Sequence, residues 1–402
     1  MQSDAYAYRA RLLATLRCQY PDARSDRGFR LLDPHTGDPF DDSRRHLVAT
    51  CRSTILFSLG SLVDGPAWCS DAAAHGLRFL ETAHRDDETG GYRLCVDPVG
   101  APVDRTRSAY AHAFALTAYA RSTEAGLEGA RTGLEDVTAL LEDRFLESNG
   151  LLRSDCESDW SEREPYRGMN ANMHACEGYL AAYEATAEQR FLERAATIAR
   201  RITVDLAAET DGLLWEHYTD EWDHDFAYNE DRPDDQFRPP GYLPGHHAEW
   251  AKFLALLDRY GAPTSAGTDW YRRGLELFEA AVDLGWTGDG FVYTADADGE
   301  TSVADRYGWA LAEAIGASAV LADRAAARDD PAVETVREWH DRFLECVPRF
   351  HGPAGLWYEK RTAPEAGDEP IGPEPPGVEP DYHPATAWYE SWRSATLLED
   401  RG

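Results

Sequence analysis

Six copies of one short element set what this 402-residue chain can fold into. Each copy is a glycine followed by apolar or aromatic residues in a strand-like run. The copies are Gly28-Phe29-Arg30-Leu31, Gly90-Gly91-Tyr92-Arg93, Gly150-Leu151-Leu152-Arg153, Gly212-Leu213-Leu214-Trp215, Gly290-Phe291-Val292-Tyr293 and Gly355-Leu356-Trp357-Tyr358. From Gly28 through Gly91, Gly150, Gly212, Gly290 and Gly355 the steps are 63, 59, 62, 78 and 65 residues. A period of about 60 residues holds two helices and their loops.

The segments between the glycines read as helices. Ser70–His84 carries apolar residues at helical spacing behind a Ser/Asp cap. Ser108–Arg121, Met173–Ala187, Glu249–Tyr260 and Tyr307–Ala322 are apolar nearly all round, as buried inner helices are. Thr186–Leu206 and Pro331–Cys346 are more polar and suit an outer layer. Six alternations of buried and amphipathic helix predict an all-α chain, an (α/α)6 barrel with short β-hairpins at the glycine elements, as a single domain over residues 1–402. The 78-residue step owes its extra length to Glu216–Gly245, rich in Trp, Tyr, Asp and Pro, and long loops on a rigid scaffold often shape active sites. Ala363–Pro380, acidic and rich in Gly and Pro, is expected to be a surface loop.

Charge narrows the partners. Acidic residues number 72 against 40 basic ones, a net charge of −32, and the only lysines are Lys252 and Lys360. Such a surface repels nucleic acid and anionic membranes and suits a salt-rich, halophile cytoplasm. It is compatible with a homo-oligomer. No apolar stretch approaches the roughly 18 residues of a membrane helix, and no secretory signal is visible. The seven cysteines are scattered, odd in number and without a CxxC pair, so reduced thiols in a cytoplasmic protein are expected.

Four places concentrate His, Arg and carboxylate. Arg52 interrupts an apolar helix, where a charge demands either an ion-pair partner or a ligand. His174 and Glu177 follow Asn170 and Asn172 at the start of an Ala-rich helix; His174 is either a hydrogen-bonded core residue or a cavity residue. Phe237-Arg238-Pro239-Pro240-Gly241 leads into Pro244-Gly245-His246-His247-Ala248-Glu249-Trp250, with His246 and Glu249 on one face of a helical turn. A carboxylate there holds the imidazole tautomer; metal ligation by His-His-x-Glu is the rival, disfavoured without a second ligand cluster nearby. Finally, Asp381-Tyr382-His383-Pro384 opens the last helix, which barrel closure brings beside the first.

In order and spacing, Gly90–Asp104, Tyr110–Phe114, Asn170–Glu177, Pro244–Trp250, Trp309–Glu313 and Tyr382-His383 together resemble the N-acylglucosamine 2-epimerase superfamily over nearly the whole chain. Phe237-Arg238-Pro239 and Glu249–Lys252 look most like its mannose isomerase and sulfoquinovose isomerase members, whereas His247 and Pro240 depart from the common pattern. The resemblance implies an (α/α)6 barrel without metal or other cofactor. It implies His246 and His383 as the acid/base pair at C2 of a monosaccharide. His174 would assist ring opening or polarise the carbonyl, Arg52 would face the enediolate, and Glu249 would orient His246. Tyr110, Asn170, Arg238, Trp309, Glu313 and Trp357 would hold the sugar.

The implied reaction is aldose–ketose isomerisation of mannose or a close relative. A sugar 2-epimerase of cellobiose or N-acylglucosamine type is the first alternative, and a glycoside hydrolase on the same barrel is the second. The C2 proton is acidic because the C1 carbonyl takes up the charge. Imidazole titrates near neutral pH and can move that proton. Reprotonation at C1 gives the ketose, and reprotonation on the opposite face of C2 gives the epimer.

Overall fold

A computed structural model describes residues 4–264, 267–375 and 377–401. Twelve α-helices of those residues form two concentric rings. The inner ring is α2 (Leu47–Leu62), α4 (Ala109–Glu124), α6 (Met169–Thr186), α8 (Pro244–Arg259), α10 (Gly308–Ala327) and α12 (Tyr382–Arg401). Each packs on the next, and α12 packs back on α2, which closes the barrel. The outer ring is α1 (Asp4–Gln19), α3 (Trp68–Phe79), α5 (Ala130–Leu140), α7 (Gln189–Arg200), α9 (Trp270–Gly285) and α11 (Ala332–Cys346). Helices α3, α5, α7, α9 and α11 each pair with the inner helix before them, and α1 pairs with α12.

Composition explains the layering. Inner helices are buried around most of their circumference and carry many small residues, such as Ala111, Ala113, Ala115 and Ala118 of α4 and Ala171, Ala175 and Gly178 of α6. A Cβ on Gly178 would lie 2.9 Å from Leu116 Cδ2 and 3.2 Å from the Ala113 carbonyl oxygen, so a larger residue there would push on Leu116 and crowd α4. Outer helices bury one face, as α7 does with Phe191, Leu192, Ala195, Ala196, Ile198 and Ala199. Each large apolar side chain buried this way stabilises the fold by about 1.5–3 kcal/mol.

The glycine elements are tight turns between antiparallel bridges. Arg24 pairs with Phe29, Arg85 with Tyr92, Leu146 with Leu152, Trp286 with Phe291 and His351 with Trp357. Gly28, Gly91, Gly150, Gly212 and Gly355 all have positive φ, which selects for glycine. Besides a two-stranded hairpin of Leu31–Leu32 with Pro39–Asp41, strands join these turns into three sheets spaced around the ring. Arg45–His46 pairs with Cys95–Val96, Tyr166–Gly168 with His217–Thr219, and Thr301–Tyr307 with Lys360–Arg361. In each, the strand leading into an inner helix (α2, α6 or α10) binds the chain beyond a later glycine turn, so a threefold pattern overlies the sixfold one.

The fourth inner position of a helix often anchors a turn. His112 Nε2 accepts from the Tyr92 amide, Asn172 Oδ1 from Leu152 and His247 Nε2 from Leu214. Asn172 and His247 are therefore clamps on backbone. The segment expected to be a surface loop over Ala363–Pro380 is more than that: Pro370–Ile371 adds a strand to Lys360–Arg361, and Pro373, Val378 and Glu379 wall a cavity.

Candidate active site

The first two turns of the inner helices carry nearly every side chain around one central cavity. Arg52 is the sixth residue of α2, Tyr110 the second of α4, Asn170 and His174 the second and sixth of α6. His246 and Glu249 are the third and sixth of α8, Trp309 the second of α10 and His383 the second of α12. All eight line the cavity, together with Trp357, Glu359, Glu379 and the loop residues Gln236, Phe237, Pro239 and Leu243. Six helix N-termini thus converge on one space, and their dipoles favour negative charge there. The long loop is pinned by reciprocal backbone bonds between Tyr242 and Ala295. Gly241 makes that approach feasible, because a Cβ on it would lie 2.2 Å from the Ala295 carbonyl oxygen.

Two imidazoles present a lone pair to the cavity. His383 Nδ1 lies 2.7 Å from Glu313 Oε1, and the Arg52 guanidinium donates to His383 Nε2 at 3.2 Å. Arginine cannot accept, so Nδ1 carries the hydrogen and Nε2 is the free base. Glu379 Oε2 lies 3.4 Å from the same Nε2, placed to stabilise an imidazolium. His246 Nδ1 lies 2.8 Å from Glu216 Oε1, which leaves its Nε2 to the cavity by the same logic. The indole of Trp309 is 5.1 Å from the His246 ring and 5.8 Å from that of His383, centroid to centroid.

Arg52 answers both readings of its burial. It is ion-paired to Glu379 at 3.0 Å and also donates to the Tyr110 hydroxyl at 3.2 Å, while its Nε has no partner. His174 is a cavity residue whose Nδ1 donates to Glu177 at 2.9 Å. Burial, against the pull of Glu177, lowers its pKa to about 4, so it is a neutral imidazole. With Nδ1–H committed, its Nε2 accepts and cannot polarise a carbonyl by donation. The Tyr110 hydroxyl, pushed up mainly by burial, keeps its proton for donation.

The floor of the cavity is a dense charge cluster. Glu313 is held between His383 and the Lys252 ammonium; burial pushes its pKa up, but Lys252 and His383 outweigh this and hold it at about 2. Glu177 accepts from His174 and from the Tyr382 hydroxyl. Glu249 has no hydrogen-bond partner on either oxygen and is 1% exposed. Ligand atoms of His174, Glu177 and Glu249, and of Glu249, Glu313 and His383, lie within 4.8 Å of one another, so two triads offer metal-type donors. Lys252 already supplies the cation bound to one of them, and its charge opposes a second.

Several sequence expectations need correction. Glu249 does not orient His246; Glu216 does, from the start of the long loop. Glu313 is not a sugar-facing residue, since both its oxygens are taken behind His383. Arg238 is absent from the cavity lining: Glu164, Asp155 and the Tyr228 hydroxyl consume its guanidinium over the Tyr166 ring. Asn170 and Trp357 do face the cavity, with Asn170 Oδ1 and Trp357 Nε1 unpartnered. Sequence reasoning missed Glu216 and Glu359, yet a signal existed. Each stands four residues after a repeat glycine, Gly212 and Gly355, in the same hairpin register.

Paired imidazoles backed by carboxylates, with a guanidinium beside them at the mouth of an α/α barrel, define a sugar isomerase or epimerase class of enzyme. The sequence matches the N-acylglucosamine 2-epimerase (GlcNAc 2-epimerase) family over residues 28–387, and the chain belongs to that family. It is 37% identical over 371 residues to a D-mannose isomerase of Thermobifida fusca, covering 89% of this chain and 86% of that one. It is 32% identical to a D-mannose isomerase of Marinomonas mediterranea, covering 92% of each. A crystal structure of a D-mannose isomerase superposes with a TM-score of 0.87 at 31% identity, over 98% of both chains.

Proposed function

We propose that this enzyme interconverts D-mannose and D-fructose by proton transfer between C2 and C1 through an enediolate. The observation that carries this reading is the pair His246 and His383, which line one cavity with each Nδ1 held by a carboxylate; Nε2 of His246 faces the cavity and Nε2 of His383 accepts from Arg52. Similarity to D-mannose isomerases supports the substrate.

The chemistry follows from the geometry. One imidazole takes the C2 proton from the open-chain aldose, and negative charge builds on O1. Arg52, Tyr110 and the converging helix N-termini are placed to stabilise that charge. The resulting imidazolium is stabilised by its carboxylate partner. It returns the proton to C1, and the carbonyl moves to C2. Asn170, Trp309 and Trp357 offer polar and stacking contacts to the sugar.

The cavity suits an uncharged monosaccharide. Among the described lining residues Arg52 is the one guanidinium, already paired with Glu379, while Glu249, Glu359, Glu379 and Asp381 add carboxyl groups. A sulfonated or phosphorylated sugar would meet these acids with Arg238 out of reach. The described cysteines are all free thiols, which supports a reducing, cytoplasmic location, and no described helix is long and apolar enough to cross a membrane.

An NMR time course with mannose in deuterated water tests the reaction. Fructose labelled with deuterium is expected, and loss of that product in His246→Ala and His383→Ala. Glucose as the main product instead would move the assignment to a 2-epimerase, and release of reducing ends from a glycoside would move it to a hydrolase.

A further inference from the structure

Isomerisation moves two protons, and the imidazoles account for one. As the C2 proton passes to C1, a hydroxyl proton must also leave O2 and another arrive at O1. Arg52 stays charged through the cycle and cannot deliver a proton. His174 has its only N–H committed to Glu177. A carboxyl group that faces the cavity can carry the second proton.

Glu249 is that acid by position. Its carboxyl lines the cavity, is shielded from solvent and has two oxygens with no hydrogen-bond partner. The groups facing it come from every side. Glu177 and His174 approach from α6, with Oε1 3.8 Å from His174 Nδ1, a nitrogen already engaged. Glu313 on α10 and His383 on α12 lie within 4.8 Å of its ligand atom. Lys252, one turn along α8, is bonded to Glu313, and the two terminal NH2 groups of Arg52 on α2 are turned to Glu379, Val378, Tyr110 and His383, its Nε being unpartnered. Tyr382 of α12 gives its hydroxyl to Glu177, and Tyr110 of α4 receives from Arg52.

Glu177 and Glu313 are thus both supplied with donors, and Glu249 has none. A third carboxylate charge beside two others, in a buried position with no protein donor, is the state least able to persist. Burial and then Glu313 push its pKa well above the ordinary carboxylate value, in the same direction.

We infer that Glu249 works as an uncharged carboxylic acid that carries the proton passing from O2 to O1; this rests on the isomerase reading above. As the imidazole takes the C2 proton, the C2–H electron pair becomes the C1=C2 bond. The C1=O1 pair moves to O1, which accepts the Glu249 proton. The Glu249 carboxylate then takes the O2 hydroxyl proton as the C2=O2 bond forms and C1 takes the imidazolium proton. Glu249 ends the cycle protonated, as it began. The two oxygens of a cis-enediol lie on one side, so a single carboxyl serves both.

Two measurements on Glu249→Gln test this. Glutamine keeps the shape and neutrality but cannot transfer a proton. A neutral Glu249 predicts that the wild type loses stability relative to the variant as pH rises, because only the unfolded wild type gives up this proton. The wild-type Tm minus the variant Tm should fall from about pH 5 to about pH 8. A gap that stays constant would mean an ionised Glu249 and would overturn the proposal.

The second measurement follows mannose in deuterated water by NMR. Fructose formation by Glu249→Gln should fall about 100-fold or more. Exchange of the mannose C2 hydrogen should persist, since the imidazoles and Arg52 are intact. Glu249→Asp, which keeps a transferable proton, should recover part of the fructose signal. Parallel loss of exchange and isomerisation, or full activity in Glu249→Gln, would overturn the assignment. A wild type that neither exchanges nor isomerises mannose would defeat the isomerase reading itself, and the Tm comparison would still decide the charge of Glu249.

Discussion

Glu216 does two jobs from one backbone position. Its carbonyl accepts from the Met169 amide at the start of α6, and its carboxylate fixes the His246 ring. Glu216→Gln keeps the carbonyl and swaps an obligatory acceptor for an amide that also donates, so the wrong imidazole tautomer becomes accessible. Turnover should fall about 100-fold with KM little changed, read by steady-state kinetics on mannose. Glu359 is the matching residue of a later hairpin: its carbonyl accepts from the Gly308 amide, and its carboxyl lines the cavity. Burial, then the Glu379 charge, raises its pKa to about 7. The stabilisation from holding that proton is complete below the ordinary carboxylate value and is lost as pH rises through about 7. Thermal unfolding of Glu359→Gln should therefore fall less steeply with rising pH across that window. Parallel curves for wild type and variant would contradict the assignment.

At the scale of helices and hairpins, the turn clamp makes a separable contribution. Asn172 binds the Leu152 amide and carbonyl and the Gly168 carbonyl, is fully buried, and is not among the residues that line the cavity. Asn172→Ala strands these groups and should cost about 3 kcal/mol, measured by urea unfolding. The folded fraction should retain its turnover. The same scale shows what the sequence could and could not reveal. Turn positions were legible because positive φ selects glycine, and inner helices because they are apolar all round. Apolar pattern alone starts α6 and α8 four and five residues late, and it was the segments around Asn170 and His246 that marked their opening turns at Met169 and Pro244. Neither helix has a side-chain N-cap; at α6 the cap is a carbonyl from a distant hairpin, which leaves no local mark. Those early turns hold Asn170, His246 and their neighbours. The histidines stood out as residues, but the carboxylates behind His246 and His383 lie 30 and 70 residues away in sequence. Proximity in sequence suggested Glu249 for His246, and the fold supplied Glu216.

For the molecule as a whole, acidic residues exceed basic ones by 32, from 72 against 40. Ion pairs such as Arg131–Glu188 and Arg190–Glu135 use up exposed arginines, so the surplus of carboxylates repels itself across the surface. Salt shortens the range of that repulsion from about 10 Å at 0.1 M to about 3 Å at 1 M. We expect the Tm to rise by several degrees between about 0.1 M and about 2 M KCl, as a halophilic protein does. A flat or falling Tm would remove that reading and leave an ordinary acidic enzyme.

The ring closes through the parts of the chain farthest apart in sequence: α1 lies on α12, and α12 lies against α2. Contacts of such long range form late, because a long loop must be ordered before they return anything. Leu12, Leu13 and Leu16 of α1 are covered in the finished barrel and wait uncovered until then. His383 likewise reaches Arg52 only when the arc becomes a circle. Catalytic competence in this architecture is thus a property of the completed circuit, and activity reports, molecule by molecule, that folding has run to its end.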